Sequence, residues 1–313
     1  MAMYRKDARI VYMGTPEISA IVLRGLIEAG FQIVGLICNE DKPIGRKGLL
    51  EPVPTKRVAL EHGIPVFQPH RIREDYAFLY DLKPDVIVTM AYGQIVPQAV
   101  LDIPVRGCIN LHGSLLPELR GAAPIQRSII EGKTETGVTL MEMVDKMDAG
   151  RMYDKKTVAI LPTDNYGTLA EKIGRAAKEL IVEDLLPYLN GELPGIEQDE
   201  AQVTFANKIK PEHEHLSLSL AAKELVQWIR GLSPTPGGFL FLQGKKIKIL
   251  GAHLESEETL GAVGEIIKDT KGLSFQAVGG VIAIDYLQME GKKPMDAKSF
   301  VNGYRGLKGN LLE

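Results

Sequence analysis

Residues 110–126 read "NLHGSLLPELRGAAPIQ". Asn110 and His112 stand two apart at the end of a β-type run, so both side chains leave the strand on one side. In open parallel α/β sheets, ligands collect beyond the carboxyl ends of the strands, and Gly107 and Gly113 leave room for close approach. A second stretch, "MVDKMDAGRMY" (143–153), holds Asp145 and Asp148 in a turn-like connection closed by Gly150. A carboxylate beside an imidazole is the usual arrangement of an acid–base relay, orienting the ring or a water. Residue types and spacing leave both readings open, because a strand-end histidine can be structural and loop carboxylates can be solvated. A third stretch, "NEDKPIGRKGLLEPVPTKR" (39–57), is long for a strand-to-helix connection, where about 4–6 residues are usual. It carries Lys42, Arg46, Lys47, Lys56 and Arg57, which suit either a decorated surface loop or an arm that grips phosphates.

Strands and helices must bring these stretches together. Apolar runs at 8–14, 31–39, 64–69, 85–93 and 107–113 read as strands, and near-continuous ones such as "DVIVTM" suit strands covered on both faces. Helical spacing between them predicts βαβ crossovers and an open parallel sheet. Residues 136–144 and 150–161 add two more strands, and a long helix follows from Tyr166 to Leu189, ended by Asn190-Gly191. From about 195 the chain turns polar and weakly periodic, which predicts a linker. A helix over 220–232 follows, and then short alternating runs with Gly-Lys and Gly-Gly turns predict a small antiparallel barrel. The expected division is a catalytic domain over 1–194, a linker over 195–208 and a second domain over 209–313.

Several function classes are disfavoured. After the first strand comes "GTPEIS", without the glycine spacing of a dinucleotide fingerprint, and no phosphate-loop motif occurs. His213 and His215 flank a glutamate in the linker, and His62 and His70 lack ligands at metal spacing, so no metal site is expected. Cys38 and Cys108 lie inside apolar runs and read as buried structural thiols of a reducing compartment. No stretch approaches the ~20 apolar residues of a membrane span, so a cytoplasmic protein is expected. The net charge is -3. Residues 208–313 carry 14 basic and 12 acidic side chains, against 23 and 28 before them, a small bias toward an anionic partner on the second domain.

In sequence order, "MGTPEIS", "DKPIGRKGLLEPVPTK", "AYGQIVP", "NLHGSLLPELRGAAPIQ", "ETGVTLMEMVDKMDAG", "LPTDNYGTLAEKI", "IRGLSPTPGGFLFLQGKKIKI" and "MEGKKPMDAKSFVNGYRGLKG" resemble the methionyl-tRNA formyltransferase family over nearly the whole chain. The chain departs from the family pattern at Lys47, at Thr235 and over 215–220. The resemblance implies an open, mostly parallel Rossmann-like formyltransferase sheet plus a small antiparallel OB-like barrel that binds tRNA. It implies transfer of a formyl group from 10-formyltetrahydrofolate to the α-amine of methionine on initiator tRNA, in translation initiation, without a metal. Asn110, His112 and Asp148 fall on the family's catalytic trio. Ser114, Leu115, Leu116 and Pro117 fall on its folate-binding segment, while Lys42, Arg46 and Lys47 fall in the loop that meets the tRNA acceptor end. No protein partner is implied, and a monomer is expected.

That chemistry matches the residue types. The nucleophile is the substrate's own amine, so no serine or cysteine nucleophile is needed. Asn110 and a protonated His112 are expected to donate to the tetrahedral oxyanion, worth roughly 10²–10³ in rate per donor. Asp148 is expected to hold His112 and help a water carry a proton from amine to folate nitrogen. Two alternatives share parts of this pattern. A folate-dependent formyltransferase acting on an amino sugar nucleotide or glycinamide ribotide would use the same trio, whereas a non-catalytic RNA-binding protein would not need it.

Overall fold

A computed structural model describes residues 3–44 and 49–313. Lys42 lies inside this range; Arg46 and Lys47 lie outside the described residues. The chain divides into two compact units. The first comprises the residues up to Pro124 with Glu135–Ala159 and Ala170–Ala206; the second comprises Ile125–Thr134, Ile160–Leu169 and Asn207–Glu313.

The strands of the first unit, in chain order, are β1 (Ile10–Met13), β2 (Ile33–Ile37), β3 (Lys42–Ile44), β4 (Leu49–Glu51), β5 (Val66–Phe67), β6 (Val86–Thr89), β7 (Cys108–His112), β8 (Glu135–Glu142) and β9 (Met152–Ala159). Short helices α1 (Glu17–Glu28), α2 (Pro54–Glu61), α3 (Phe78–Leu82) and α4 (Gln98–Leu101) connect the parallel strands, and α5 (Pro124–Ile130) precedes β8. The long helix expected after β9 is α6, Tyr166–Leu189.

Seven strands form one sheet in the order β5-β2-β1-β6-β7-β8-β9. The chain winds outward from β1 to β5, then returns to lay β6 beside β1, which makes the crevice where such sheets bind ligands. All four residues of β1 and of β6 are buried, as the unbroken apolar runs require. The first five strands run parallel, and β8 and β9 join antiparallel. This antiparallel edge makes the sheet mixed, and it decides where the Asp148 loop emerges. The β3–β4 hairpin pairs separately, Lys42 opposite Glu51.

Both thiols are buried, as expected, and unpaired. Burial pushes Cys38 up to about 11 and Cys108 up to about 12, so neither is a thiolate at neutral pH.

In the part of the second unit beyond Asn207, the first α-helix is α7 (Ala222–Leu232). Its sheet contains β10 (Phe239–Leu242), β11 (Lys245–Ser256), β12 (Ile266–Lys268), β13 (Leu273–Ala277) and β14 (Gly280–Met289), ordered β10-β11-β14-β13-β12, with β15 (Met295–Asp296) on β14. Helix α8 (Ala297–Gly303) follows. Every pairing is antiparallel. Register shifts between Ile249 and Ser256 bend the long β11, the usual way a sheet is made to curl. Residues 310–313 then bridge its two ends. Phe241 and Glu313 exchange backbone hydrogen bonds at 2.6 and 2.9 Å, and Leu312 N donates to Gly264 O at 2.8 Å. The curled sheet closes on a core that includes Leu225, Ile229, Phe275, Leu287, Phe300 and Leu312.

One carboxyl pair in the first unit sets a pH dependence. Asp184 on α6 faces Asp154 on β9; burial first, and then the Asp154 charge, pushes Asp184 up to about 6. A carboxyl raised on folding stabilises the protein where it stays protonated, and that contribution is lost as pH climbs from its unfolded value near 4 through 6. Asp184→Asn should therefore raise folding stability by about 1 kcal/mol above pH 6, a figure discounted for partial exposure. The gain should shrink toward pH 4 in urea titrations across that range. A gain independent of pH would mean that the carboxyl pair is not its source.

Candidate active site

Strand β7 presents the first two predicted residues. Asn110 is half-buried, and among the described residues its amide has no hydrogen-bond partner. His112 is 5% exposed. The backbone of Asn110 lies between Thr89 of β6 and Met141 of β8, which aligns both side chains with the ends of the parallel strands.

The imidazole is held from two sides. Its Nε2 donates to the Leu119 carbonyl at 2.9 Å, and its Nδ1 lies 3.6 Å from Asp148 Oδ1. The Leu119 bond fixes the tautomer: Nε2 carries the proton in the neutral ring, and Nδ1 gains one only in the imidazolium. This refines the expected role of His112, because Nε2 is already committed to Leu119. Nδ1 is the nitrogen left for chemistry.

Asp148 occupies the left-handed region at φ 50°. Its Oδ2 accepts from the Gly121 amide at 2.8 Å, which turns Oδ1 toward His112. Of the two candidate loop carboxylates, Asp148 reaches the histidine and Asp145 stays exposed.

Reaching His112 requires an unusual path. Strand β8 runs antiparallel to β7, with Glu142 opposite Ile109 and Thr139 opposite His112. The loop that follows β8 therefore returns by about three residues, roughly 10 Å at strand spacing, to bring Asp148 to His112.

The folate-segment residues line the turn after β7. Ser114 Oγ donates to Glu118 O at 2.6 Å, and the Thr139 hydroxyl donates to Ser114 O at 2.7 Å while accepting from Leu116 N at 3.1 Å. The Leu116–Pro117 peptide is cis, an isomer the sequence left open. Leu116 is fully buried with Met141 and Met152, and the Lys155 ammonium donates to its carbonyl. Burial holds that ammonium below its ordinary range. Leu115 leans over Gly137, where a Cβ would come within 2.5 Å of Leu115 Cδ2.

Lys42 is exposed on β3. None of the trio lines the open hollow of about 290 Å³ formed by His70, Arg71, Arg73, Gln94 and Ile95. Among the described residues, no group of three His, Cys, Asp or Glu side chains is arranged to hold a metal ion.

The match to known proteins follows the whole chain. Residues 8–185 match the family model described as formyl transferase, and residues 208–305 match its C-terminal domain. A methionyl-tRNA formyltransferase of Bacillus velezensis is 44% identical over 97% of this chain and 97% of its own. The chain belongs to the methionyl-tRNA formyltransferase family. More distant structures share the fold at 17–18% identity. An N-formyltransferase from Helicobacter canadensis superposes with a TM-score of 0.67 over 90% of this chain and 99% of its own. HypX from Aquifex aeolicus gives 0.67 over 96% of this chain and 48% of its own, so this family member spans about half the length of HypX.

Sequence reasoning missed the groups that hold His112, Asp148 and the turn after β7: the Leu119 carbonyl, the Gly121 amide, Thr139, Arg120 and Gln198. Of these only Gly121 carried a local signal, a glycine four residues after Pro117 in the same motif. It adopts φ 120°, and a Cβ there would sit 2.8 Å from the Ala206 carbonyl. Gly121→Ala should cost about 2 kcal/mol of stability, from both the strained backbone and the clash. Chemical denaturation would measure it, and a cost under about 0.5 kcal/mol would show that the 119–121 turn can shift freely.

Proposed function

We propose that this chain transfers the formyl group of 10-formyltetrahydrofolate to the α-amine of methionine on initiator methionyl-tRNA, as a monomer in the cytoplasm. The observation that carries the chemistry is the His112–Asp148 pair at 3.6 Å beside the unengaged Asn110 amide. Membership of the family selects the acceptor amine over an amino sugar nucleotide or glycinamide ribotide.

In this reading the amine attacks the formyl carbon, and the carbonyl oxygen becomes an oxyanion. The Asn110 amide donates to that oxygen. In the imidazolium form of His112, the Nδ1 proton lies between the oxyanion and Asp148, so the carboxylate keeps the ring aimed. As the tetrahedral intermediate collapses, the C–N bond to the folate nitrogen breaks. The proton lost by the amine passes by way of a water beside Asp148 to that nitrogen. Each donor is worth roughly 10²–10³ in rate, and the proton relay roughly 10²–10⁴. Ser114, Leu115, Leu116 and Pro117 form the wall against which the folate rests. No metal takes part.

The tRNA is held elsewhere. Lys42, Arg46 and Lys47 grip phosphates near the acceptor end, and the second domain (209–313), joined through 195–208, adds affinity for the body of the tRNA.

The test is a formyl-transfer assay offering charged initiator tRNA, glycinamide ribotide and an amino sugar nucleotide in parallel. Transfer to the tRNA alone is expected; preference for either small amine would overturn the substrate assignment. His112→Ala and Asp148→Ala should each lower kcat by about 10²–10⁴, with tRNA affinity within about twofold. Loss of tRNA binding instead would count against their assigned roles. Arg46→Ala with Lys47→Ala should weaken use of the charged tRNA with a shallower salt dependence. An effect confined to folate affinity would remove the loop from the tRNA side.

A further inference from the structure

The stretch 198–206, polar and weakly periodic in sequence, is bonded throughout to the turn and loop that carry the trio's supports. Gln198 is 8% exposed, and its Nε2 lies 2.8 Å from both the Asp148 carbonyl and the Gly150 carbonyl. Its Oε1 accepts from Arg120 Nε at 2.9 Å. Arg120 is itself 1% exposed, and its Nη2 reaches Glu200 at 3.0 Å. The Arg120 hydrogen bond, with that of Lys146, holds the Glu200 carboxyl below its usual range.

The same stretch also grips the turn on the other side of the trio. Leu119 N donates to Thr204 Oγ1 at 2.9 Å and Arg120 N to Thr204 O at 2.9 Å, while Ala206 N donates to Arg120 O at 2.7 Å. Leu119 and Gly121 are the residues whose backbone groups aim His112 and Asp148.

We infer that Gln198 is a positioning residue for Asp148, acting with buried Arg120 to hold the folded-back loop at the level of His112. The inference rests on the catalytic reading of Asp148 given above. One amide donates to both carbonyls flanking the turn at 148–150, on either side of Ala149, whose own amide donates to Lys146 O at 3.2 Å. The guanidinium fixes which end of the Gln198 amide is the oxygen, so the nitrogen must face the loop. Removing the amide would free the loop from its backbone side while leaving the reacting groups chemically intact.

The experiment compares Gln198→Ala and the isosteric Gln198→Glu, which keeps an acceptor for Arg120 and loses the two donated bonds. Glu197→Ala, at the exposed position next to Gln198 where the side chain pairs with Arg151, serves as control. Each would be assayed for kcat and for both KM values, in the parent chain and in an Asp148→Ala background. Displacing a reacting group by about 1 Å costs on the order of 100-fold. Gln198→Ala and Gln198→Glu should therefore lower kcat about 10- to 100-fold, with both KM values within about threefold. In the Asp148→Ala background the further loss should be under about twofold, because neighbours acting through one group do not add.

Parental kcat in Gln198→Glu, a change in KM alone, or a full additional loss on top of Asp148→Ala would each overturn the role. So would an equal loss in Glu197→Ala. If Gln198→Ala does not fold, Gln198→Glu decides by the same criteria. An Asp148→Ala chain with parental kcat would instead bring down the catalytic reading, and this role with it.

Discussion

Two backbone groups of one turn, the Leu119 carbonyl and the Gly121 amide, hold opposite members of the His112–Asp148 pair. The carbonyl takes the Nε2 proton and so turns Nδ1 toward the carboxylate; the amide takes Oδ2 and so turns Oδ1 toward the ring. Because both groups lie within three residues, the pair keeps its separation as long as that turn keeps its shape. Leu119 at φ 59° and Gly121 at φ 120° show how sharply the chain must bend to present them. A glycine is required at the second position, since any Cβ would strike Ala206 O.

The mixed sheet explains why so much holds this turn. A fifth parallel strand ends at His112, and the next strand returns antiparallel, carrying its following loop away from the carboxyl ends of the parallel strands. Asp148 comes back to His112 only because that loop returns toward the end of β7. A hairpin loop so placed has lost the solvent on one side and must have its polar backbone satisfied by protein. Gln198 supplies two of those bonds, and Arg120 holds Gln198. A buried guanidinium costs several kcal/mol to desolvate, and this one offsets part of that cost through Gln198 and Glu200.

The second unit meets a different constraint. An antiparallel sheet of five consecutive partners leaves two open edges, on β10 and β12, with unpaired backbone groups. Residues 310–313 supply the missing pairs, which makes the last turn of chain part of the sheet. Alternation in "FLFLQGKKIKIL" announces the first hairpin, and Leu240, Leu242, Ile247 and Ile249 take the inward positions.

Where periodicity was strong, the sequence alone determined the answer. The strands of the first sheet, the long helix Tyr166–Leu189 and the burial of both cysteines follow from local apolar pattern, which needs no distant partner to be read. Period 2 likewise put Asn110 and His112 on one side of their strand. What local pattern could not decide was the second half of the site. Asp145 and Asp148 are equivalent in a sequence, and only the doubling back of the loop separates the exposed one from the one beside His112. Gln198 sits 50 residues from the carbonyl that it holds, in a stretch without helical or strand periodicity, because its side chain bonds to backbone groups whose location depends on the register of β7, β8 and β9. Hydrogen bonds of that kind leave no repeat in the sequence, so tertiary structure alone could reveal them.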